Sequence, residues 1–481
     1  MIVTRVMALM MSVIWLLAAT AGAQVSASAV SAQEAWQQLP SQPPVVSTAP
    51  RFEAQYPTSF WWEGFGDPQL NGLVEAALNH SPSLASVEER IKEAEGQKLI
   101  ASSRLKPQAQ VGASYAWQYY SKSQFPFPLE ERIFQLFSTP LQASYELDWL
   151  GQARNQRSIA IKGVDQARFQ YQSARIALAS AVVTRYVQWA ALESLMDVHT
   201  QWVQGLEQLK AHAQALLDAG QEPVMTLRDA EAALAQGNAQ LASDNALRVE
   251  VKNQLAVLVG QTPAQFSAVP LAKPVLAALT VWESLPAGLP ATLLDHRPDI
   301  QIAESMLEAA DIQIKVAKKN FLPRITITGQ TGFTSLYAHR WLTLDALSSA
   351  ITPAITAPLL TGGANKGRLK IAKSQRQQAL NHYLDAVNTA CGEVETALAR
   401  VQAANQTLAE QTQRKNATFD KVSRIKLRYD LGLDSQPTYW IASLESVPAE
   451  SDAIVQRAQL ALETVRLLSA LGGGFKPPGN P

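Results

Sequence analysis

The stretch Leu78-Asn-His-Ser-Pro-Ser-Leu84 returns as Leu294-Asp-His-Arg-Pro-Asp-Ile300, 216 residues further on. The correspondence continues without a gap. Glu88, Ala94, Gln97, Ala101 and Pro107 recur as Glu304, Ala310, Gln313, Ala317 and Pro323. Later the spacing becomes 212: Gly220 matches Gly432, Ala230 matches Ala442, and Leu255 with Gly260 match Leu467 with Gly472. One structural unit of about 200 residues is therefore present twice, far longer than a solenoid repeat of 20 to 50 residues.

Each copy reads as a helix, two strands and two further helices. Pro82 and Pro298 suit the first turn of a helix, and Pro107 and Pro323 cannot continue one. The pattern then switches to period two. Val111, Ala113, Tyr115, Trp117 and Tyr119 alternate with Gln110, Gly112, Ser114 and Gln118. Phe137, Leu141, Ala143, Tyr145, Leu147 and Trp149 oppose Ser138, Gln142, Ser144, Glu146 and Asp148. In the second copy Ile325, Ile327 and Phe333 oppose Arg324, Thr326, Thr328 and Gln330. Ile351, Ile355, Ala357 and Leu359 likewise oppose Thr352, Ala354 and Thr356.

The expected strands are 108–120, 137–149, 324–333 and 347–360. At about ten to twelve residues they have the length of tilted membrane strands, although a water-soluble sandwich alternates in the same way. The segments 121–135 and 334–346 are expected to be external loops.

The remaining segments predict long helices at 152–217 and 365–430, returning after short turns as 223–259 and 437–471. Sixty-six residues of helix span roughly 100 Å. Each return helix is about half as long as its partner. The opening helices, near 69–104 and 285–320, have roughly the missing length, so two short helices end to end match one long one. Gln-, Ser- and Ala-rich surfaces suit a wetted lumen, and a coiled-coil scaffold also accommodates the helices taken alone.

Composition narrows the function. Forty-one Lys and Arg balance 41 Asp and Glu, which argues against a nucleic-acid partner. A single Cys excludes an intramolecular disulfide framework and any multi-cysteine zinc site. Charged residues make up only 17%, below the roughly 25% of soluble domains, so an ordinary solvated surface does not account for the chain. Arg5, the apolar run Val6 to Ala19 and Ala21-Gly22-Ala23 predict a signal peptide over 1–23, with a second candidate cleavage site at Val30-Ser31-Ala32. No Cys follows, so a lipid anchor is not expected, and Cys391 is expected to be a small buried residue.

Beyond the leader no run of 18 apolar residues predicts a transmembrane helix. The six His residues show no metal spacing. Leu360-Thr-Gly-Gly-Ala364 lacks the Lys-Ser/Thr ending of a phosphate loop, and no Gly-x-Ser-x-Gly elbow occurs. No catalytic, cofactor or metal site is expected.

Four strands cannot close a barrel, and an open sheet edge in lipid leaves backbone groups unsatisfied. Transmembrane strands would therefore have to be shared, eight from a dimer or twelve from a trimer.

Trp62-Glu-Gly-Phe-Gly-Asp-Pro-Gln-Leu70, Tyr145-Glu-Leu-Asp-Trp-Leu-Gly151, Leu285-Pro-Ala-Gly-Leu-Pro290 and Leu293-Leu-Asp-His-Arg-Pro-Asp-Ile300 followed by Ala303-Glu304 resemble the TolC-like outer membrane factor family. The likeness is to its NodT-type members, which serve resistance-nodulation-division efflux systems, and it runs from about 58 to 474. The resemblance implies a mainly α protein with a membrane β-barrel. It would be a homotrimer whose twelve-stranded barrel, four strands per chain, continues as a long periplasmic α-helical barrel. Residues 24–68, the connector 261–290 and the tail 472–481 would contribute to an equatorial collar around the two repeats, 69–260 and 291–471.

The function implied is that of a passive exit duct for drugs or other small solutes. An inner-membrane efflux pump and a periplasmic adaptor would deliver the solutes, and outer-membrane lipid would surround the barrel. Many relatives are lipoproteins, a pattern from which the missing cysteine departs. A type I protein-secretion duct shares the architecture, and a non-conducting trimeric scaffold is the third reading. The family closes its periplasmic tip with the two helix hairpins. Arg428, Tyr429, Asp430 and Asp434 are thereby the gate candidates, and Gly220 and Gly432 the hairpin-tip and adaptor-contact candidates. The Gln that usually follows the Gly-x-x-x turn is absent, Ala442-Ser443-Leu444 standing there.

Overall fold

The computed structural model describes residues 60–121, 133–279 and 297–474. All lie in one of the two units into which the chain divides, Glu53–Pro481. The expected leader, the segment 24–59, residues 280–296 of the connector and second repeat, and the end of the tail lie outside the described residues.

A 3-10 turn, Trp61–Phe65, precedes helices α1 (Pro68–His80) and α2 (Pro82–Ser103). The single opening helix expected near 69–104 is thus two. The residue before a proline is pushed out of helical geometry, and Ser81 is extended at φ −68°, ψ 118°. Strand β1 follows in two segments, Gln108–Val111 and Ser114–Tyr119, then β2 (Ile133–Leu147). Helices α3 (Gln152–Asp218), α4 (Val224–Leu258) and the short α5 (Pro263–Ala268) come next. The second half supplies α6 (Pro298–Lys319), β3 (Arg324–Ser335), β4 (Leu347–Thr356), α7 (Ala364–Asp430) and α8 (Gln436–Ala470). Both long helices have 67 residues, both return helices 35, and α2 and α6 both 22.

The strands form one antiparallel sheet in the order β1-β2-β3-β4. The two segments of β1 keep one register against β2, Gln108 opposite Ser144 and Tyr119 opposite Ile133, so the sheet is four strands wide. Strand β2 starts at Ile133 rather than the expected 137. Phe134 and Leu136 are apolar on the otherwise polar face and hide the alternation there. Strand β4 ends at Thr356 rather than 360, because its last partner is Arg324, directly after Pro323. Ala357 and Leu359 therefore fall outside the strand.

Cross-strand pairing carries a single apolar face across all four strands. Val111 faces Leu141, Tyr115 faces Phe137, Tyr145 faces Ile327, and Ile325 faces Ile355. That face is uncovered, with Val111 at 74% and Ile351 at 79% exposure. No second sheet lies among the described residues, which removes the sandwich reading. A contiguous apolar face of this kind is stable only against another apolar phase.

The helices repeat one arrangement twice. Return helix α4 ends at Gly260, where a Cβ would meet the His80 carbonyl and Pro82 at the start of α2. Return helix α8 ends where Arg297, just before α6, donates to the Ala470 carbonyl at 2.8 Å. In both copies two short helices abut end to end and pack along a long one. Arg297 is the rivet of the second join, also donating to Asp299 and to Glu393 on α7 at 2.7 Å each. The two carboxylates keep its charge despite burial and push its pKa up.

The core lies where α1, α3, α4 and α8 meet. Trp61, Phe65, Leu70, Val74, Val182, Tyr186, Leu255 and Leu468 are all 2% exposed or less. Side chains of this size contribute about 1.5–3 kcal/mol each when fully buried.

Further along α3, His199 bonds through Nδ1 to Asp244 of α4 and through Nε2 to the Ser451 hydroxyl of α8 at 3.3 Å. A carboxylate only accepts, so Nδ1 donates to Asp244. This node ties the two hairpins together inside the helical layer. His199→Ala leaves Asp244, 3% exposed, as a buried carboxylate that has lost its His partner and keeps the Gln240 amide at 2.9 Å. It is expected to cost about 3–5 kcal/mol, read as a lowered unfolding midpoint by circular dichroism, whereas Ser451→Ala costs far less.

Candidate functional site: the polar sheet face and the hairpin tips

The face of the sheet opposite the apolar one is uncharged and polar along most of its length. Gln110, Gln142 and Gln330 line up across β1, β2 and β3, with Gln110 Nε2 donating to Gln142 Oε1 at 3.1 Å. Ser144, Thr328 and Thr352 form the next row. Such a wall wets readily and holds no solute strongly.

The motifs singled out in the sequence are joints. Asp67 caps α1, accepting from the Gln69 and Leu70 amides at 2.8 and 3.4 Å, and accepts the Tyr186 hydroxyl of α3. Burial and this carboxylate push the Tyr186 phenol well above its usual pKa. Gln69 brackets the backbone of Ala272 in the connector, accepting from its N–H at 2.8 Å and donating to its carbonyl at 3.1 Å. Asp148, at the end of β2, accepts from the Ala153 and Arg154 amides at 2.9 and 3.0 Å, and Gly151 takes φ 70° to turn strand into helix. Burial opposes its charge, but these bonds and Arg154 prevail and lower its pKa.

At the far end of each long helix the chain reverses on a glycine. Gly220 (φ 69°) and Gly432 (φ 74°) occupy the left-handed position after the helix. The following amides close back on it, Gln221 N–H to Leu216 O and Leu433 N–H to Arg428 O, at 2.9 and 2.8 Å. This double closure favours glycine because a Cβ is strained at positive φ.

In the second tip Arg428 and Asp434 form a two-pronged ion pair, Nε to Oδ2 at 2.8 Å and Nη2 to Oδ1 at 3.0 Å. Asp434 is thereby held below the usual carboxylate range. Tyr429 stacks on Tyr439, ring centres 6.1 Å apart and 10° from parallel. Asp430 is exposed and, among the described residues, forms no ion pair. The structure thus joins two of the four gate candidates directly and places the other two beside them on the same turn.

Sequence reading missed Tyr439 and the His212–Trp440 contact at 5.5 Å between α3 and α8. It also missed the ion pairs Arg414–Asp452, Lys415–Glu450 and Lys421–Glu445, which strap α7 to α8. In the first hairpin α3 and α4 are linked by His199–Asp244 and by Arg248–Glu193 at 3.6 Å; the heptad phase of α7 against α8 was the available signal.

Among the described residues no group of three His, Cys, Asp or Glu is placed to hold a metal ion. Ser451, His199 and Asp244 follow the order of a nucleophile triad, but the His and Asp are buried between helices at 9% and 3% exposure.

A sheet with one lipid-compatible and one wetted face, continued by paired helical hairpins, defines the wall of an outer-membrane duct. The family described as "Outer membrane efflux protein" matches residues 73–261 and 289–473, and the chain belongs to that family. It is a channel of the bacterial outer membrane in tripartite efflux systems and not an enzyme.

Among curated relatives, the pyoverdine export outer membrane protein OpmQ of Pseudomonas putida is 26% identical over 90% of this chain and 94% of its own length. The toluene efflux pump outer membrane protein TtgF of the same species is 29% identical over 86% and 85%. Of solved structures, the outer membrane protein VceC of Vibrio cholerae superposes with a TM-score of 0.76 at 25% identity, covering 88% of this chain and all of VceC. The open state of the Neisseria gonorrhoeae channel MtrE gives 0.77 at 26% identity, over 90% and 97%.

The tip pair has a defined pH window. A depressed carboxylate pKa stabilises above the unfolded value of about 3.9 and loses that contribution as pH falls through the lower folded value. Unfolding midpoints of the parent and of Asp434→Asn are therefore expected to differ by a constant amount between pH 5 and 8 and to converge only below about pH 4.

Proposed function

We propose that three copies of this chain close one twelve-stranded barrel and that their hairpins form a periplasmic tube. The observation carrying this reading is the four-stranded sheet itself, with a continuous exposed apolar face and outer edges on β1 and β4 that pair with no other strand among the described residues. Lipid offers no hydrogen bonds to such edges, so the edges of neighbouring copies must meet. Two copies would give eight strands and a barrel filled by side chains; three leave room for a pore.

In this reading residues 69–260 and 291–471 are the two repeats of each wall segment. Residues 24–68, 261–290 and 472–481 belong to the equatorial collar. Gly220 and Gly432 present the tips to a periplasmic adaptor, and an inner-membrane pump supplies the solutes. Arg428, Tyr429, Asp430 and Asp434 form the gate. The Arg428–Asp434 pair sets the shape of the second turn and keeps Asp430 near the threefold axis, where three carboxylates form an acidic ring. Small organic compounds, the kind named for the toluene and pyoverdine relatives, are the cargo.

Purification from outer membranes is expected to yield a heat-labile trimer on gels, with discrete conductance in planar bilayers. Absence from that fraction would count against the reading. Asp434→Ala, alone or with Arg428→Ala, is expected to raise single-channel conductance, and unchanged conductance would remove the latch while leaving the duct.

A further inference from the structure

Where the sheet hands over to the helices, the polar face carries a recess of about 640 Å³ lined from both halves of the chain. Its charged lining is Arg104, Lys106, Arg324 and Arg368 against Glu146 and Asp148. Asp148 is already engaged by Arg154 and by the first turn of α3. None of the four cations forms an ion pair among the described residues. Arg104 donates instead to Gln156 Oε1 at 2.6 Å, Arg324 to Asn320 Oδ1 at 3.3 Å and Arg368 to Asn365 Oδ1 at 3.3 Å.

The duplication explains this arrangement. Position 104 corresponds to 320, 108 to 324 and 156 to 368, and all six residues line the recess. At each related pair one half carries Arg and the other an amide: Arg104 with Asn320, Gln108 with Arg324, Gln156 with Arg368. A repeat that placed Asp or Glu there would have neutralised the cations. This one surrounds them with amides, which orient guanidinium groups without cancelling their charge.

We propose that this recess is a binding site for multiply charged organic anions, bearing carboxylate, sulfonate or phosphate groups, on their way through the channel. Guanidinium forks match such groups in two-pronged geometry. The amides of Gln108, Gln152 and Gln313 add donors and acceptors for hydroxyls and amides on the same molecule. The volume lies within the range of small-ligand sites. Membrane headgroups do not reach it, because the lining strand residues 108, 144, 146, 324 and 326 are on the face opposite Val111, Leu147 and Ile325. The site rests on the reading of the polar face as the inner wall of the duct. Three copies around one axis would set a belt of twelve such cations in the lumen.

The test uses the full-length protein in detergent, with citrate as the probe and glycerol as its uncharged counterpart. Isothermal titration is expected to show citrate binding that weakens steeply with added KCl, and no glycerol binding. Arg104→Gln with Arg324→Gln is expected to weaken citrate at least tenfold, and Arg368→Gln alone to weaken it less. Arg228→Gln, on α4 near the first tip, leaves it unchanged. Equal citrate affinity in the double variant and the parent, or citrate binding insensitive to salt, overturns the site.

Single-channel recording on the same preparations separates the two levels. A conducting pore whose anion preference and citrate block match between parent and double variant overturns the site alone. A preparation that never conducts overturns the duct, and the site with it.

Discussion

The structure depends on one constraint: a backbone N–H or C=O in hydrocarbon must find a partner within protein. Among the described residues one chain supplies four strands and two open edges, an incomplete object in a membrane. The exposed apolar face and the incompleteness of the sheet are two expressions of the same fact. The modest charge content follows as well. Lipid-facing positions, buried helix seams and a wall of Gln, Ser and Thr leave little area where charge is useful.

The architecture was legible because duplication writes each landmark twice. A lone Pro82 or Gly220 is weak punctuation, whereas the same residue returning at a fixed spacing as Pro298 or Gly432 marks a structural boundary. Alternation gave the strands because register pairs odd positions with odd positions across the whole sheet, as Val111 with Leu141 and Ile325 with Ile355. It misled at the ends. Phe134 and Leu136 blurred the start of β2, and Ala357 and Leu359 kept the period after β3 had run out of residues to pair with.

The tip was less legible for a physical reason. Glycines at a left-handed turn are required by local backbone geometry, so they can be read from one sequence. The partner of a charge six residues away, or the ring that stacks on Tyr429, depends on how two helices are phased about each other. Arg428 and Asp434 were visible as charges that could latch one turn but not in their two-pronged geometry, and Tyr439 was not visible at all. The same limit hid the His199–Asp244–Ser451 node, whose members are 45 and 252 residues apart from the histidine. Conversely Asp67, Gln69 and Asp148 stood out as motif residues before their roles were known. Each proves to join two segments distant in sequence or to convert a strand into a helix.

The equal lengths of the two hairpins limit how the gene can change. One residue added to α3 alone would rotate its far end by about 100° and advance it 1.5 Å relative to α7. It would turn every contact of the first tip out of phase with the second. A deletion in α4 would open the join with α2, where Gly260 already touches the His80 carbonyl. Insertions and deletions should therefore accumulate in the crossing between β3 and β4, Leu336 to Ala346, where exposed 3-10 turns are attached to no helix. That crossing is the place for epitope tags, while the helices tolerate substitution but not a change of length.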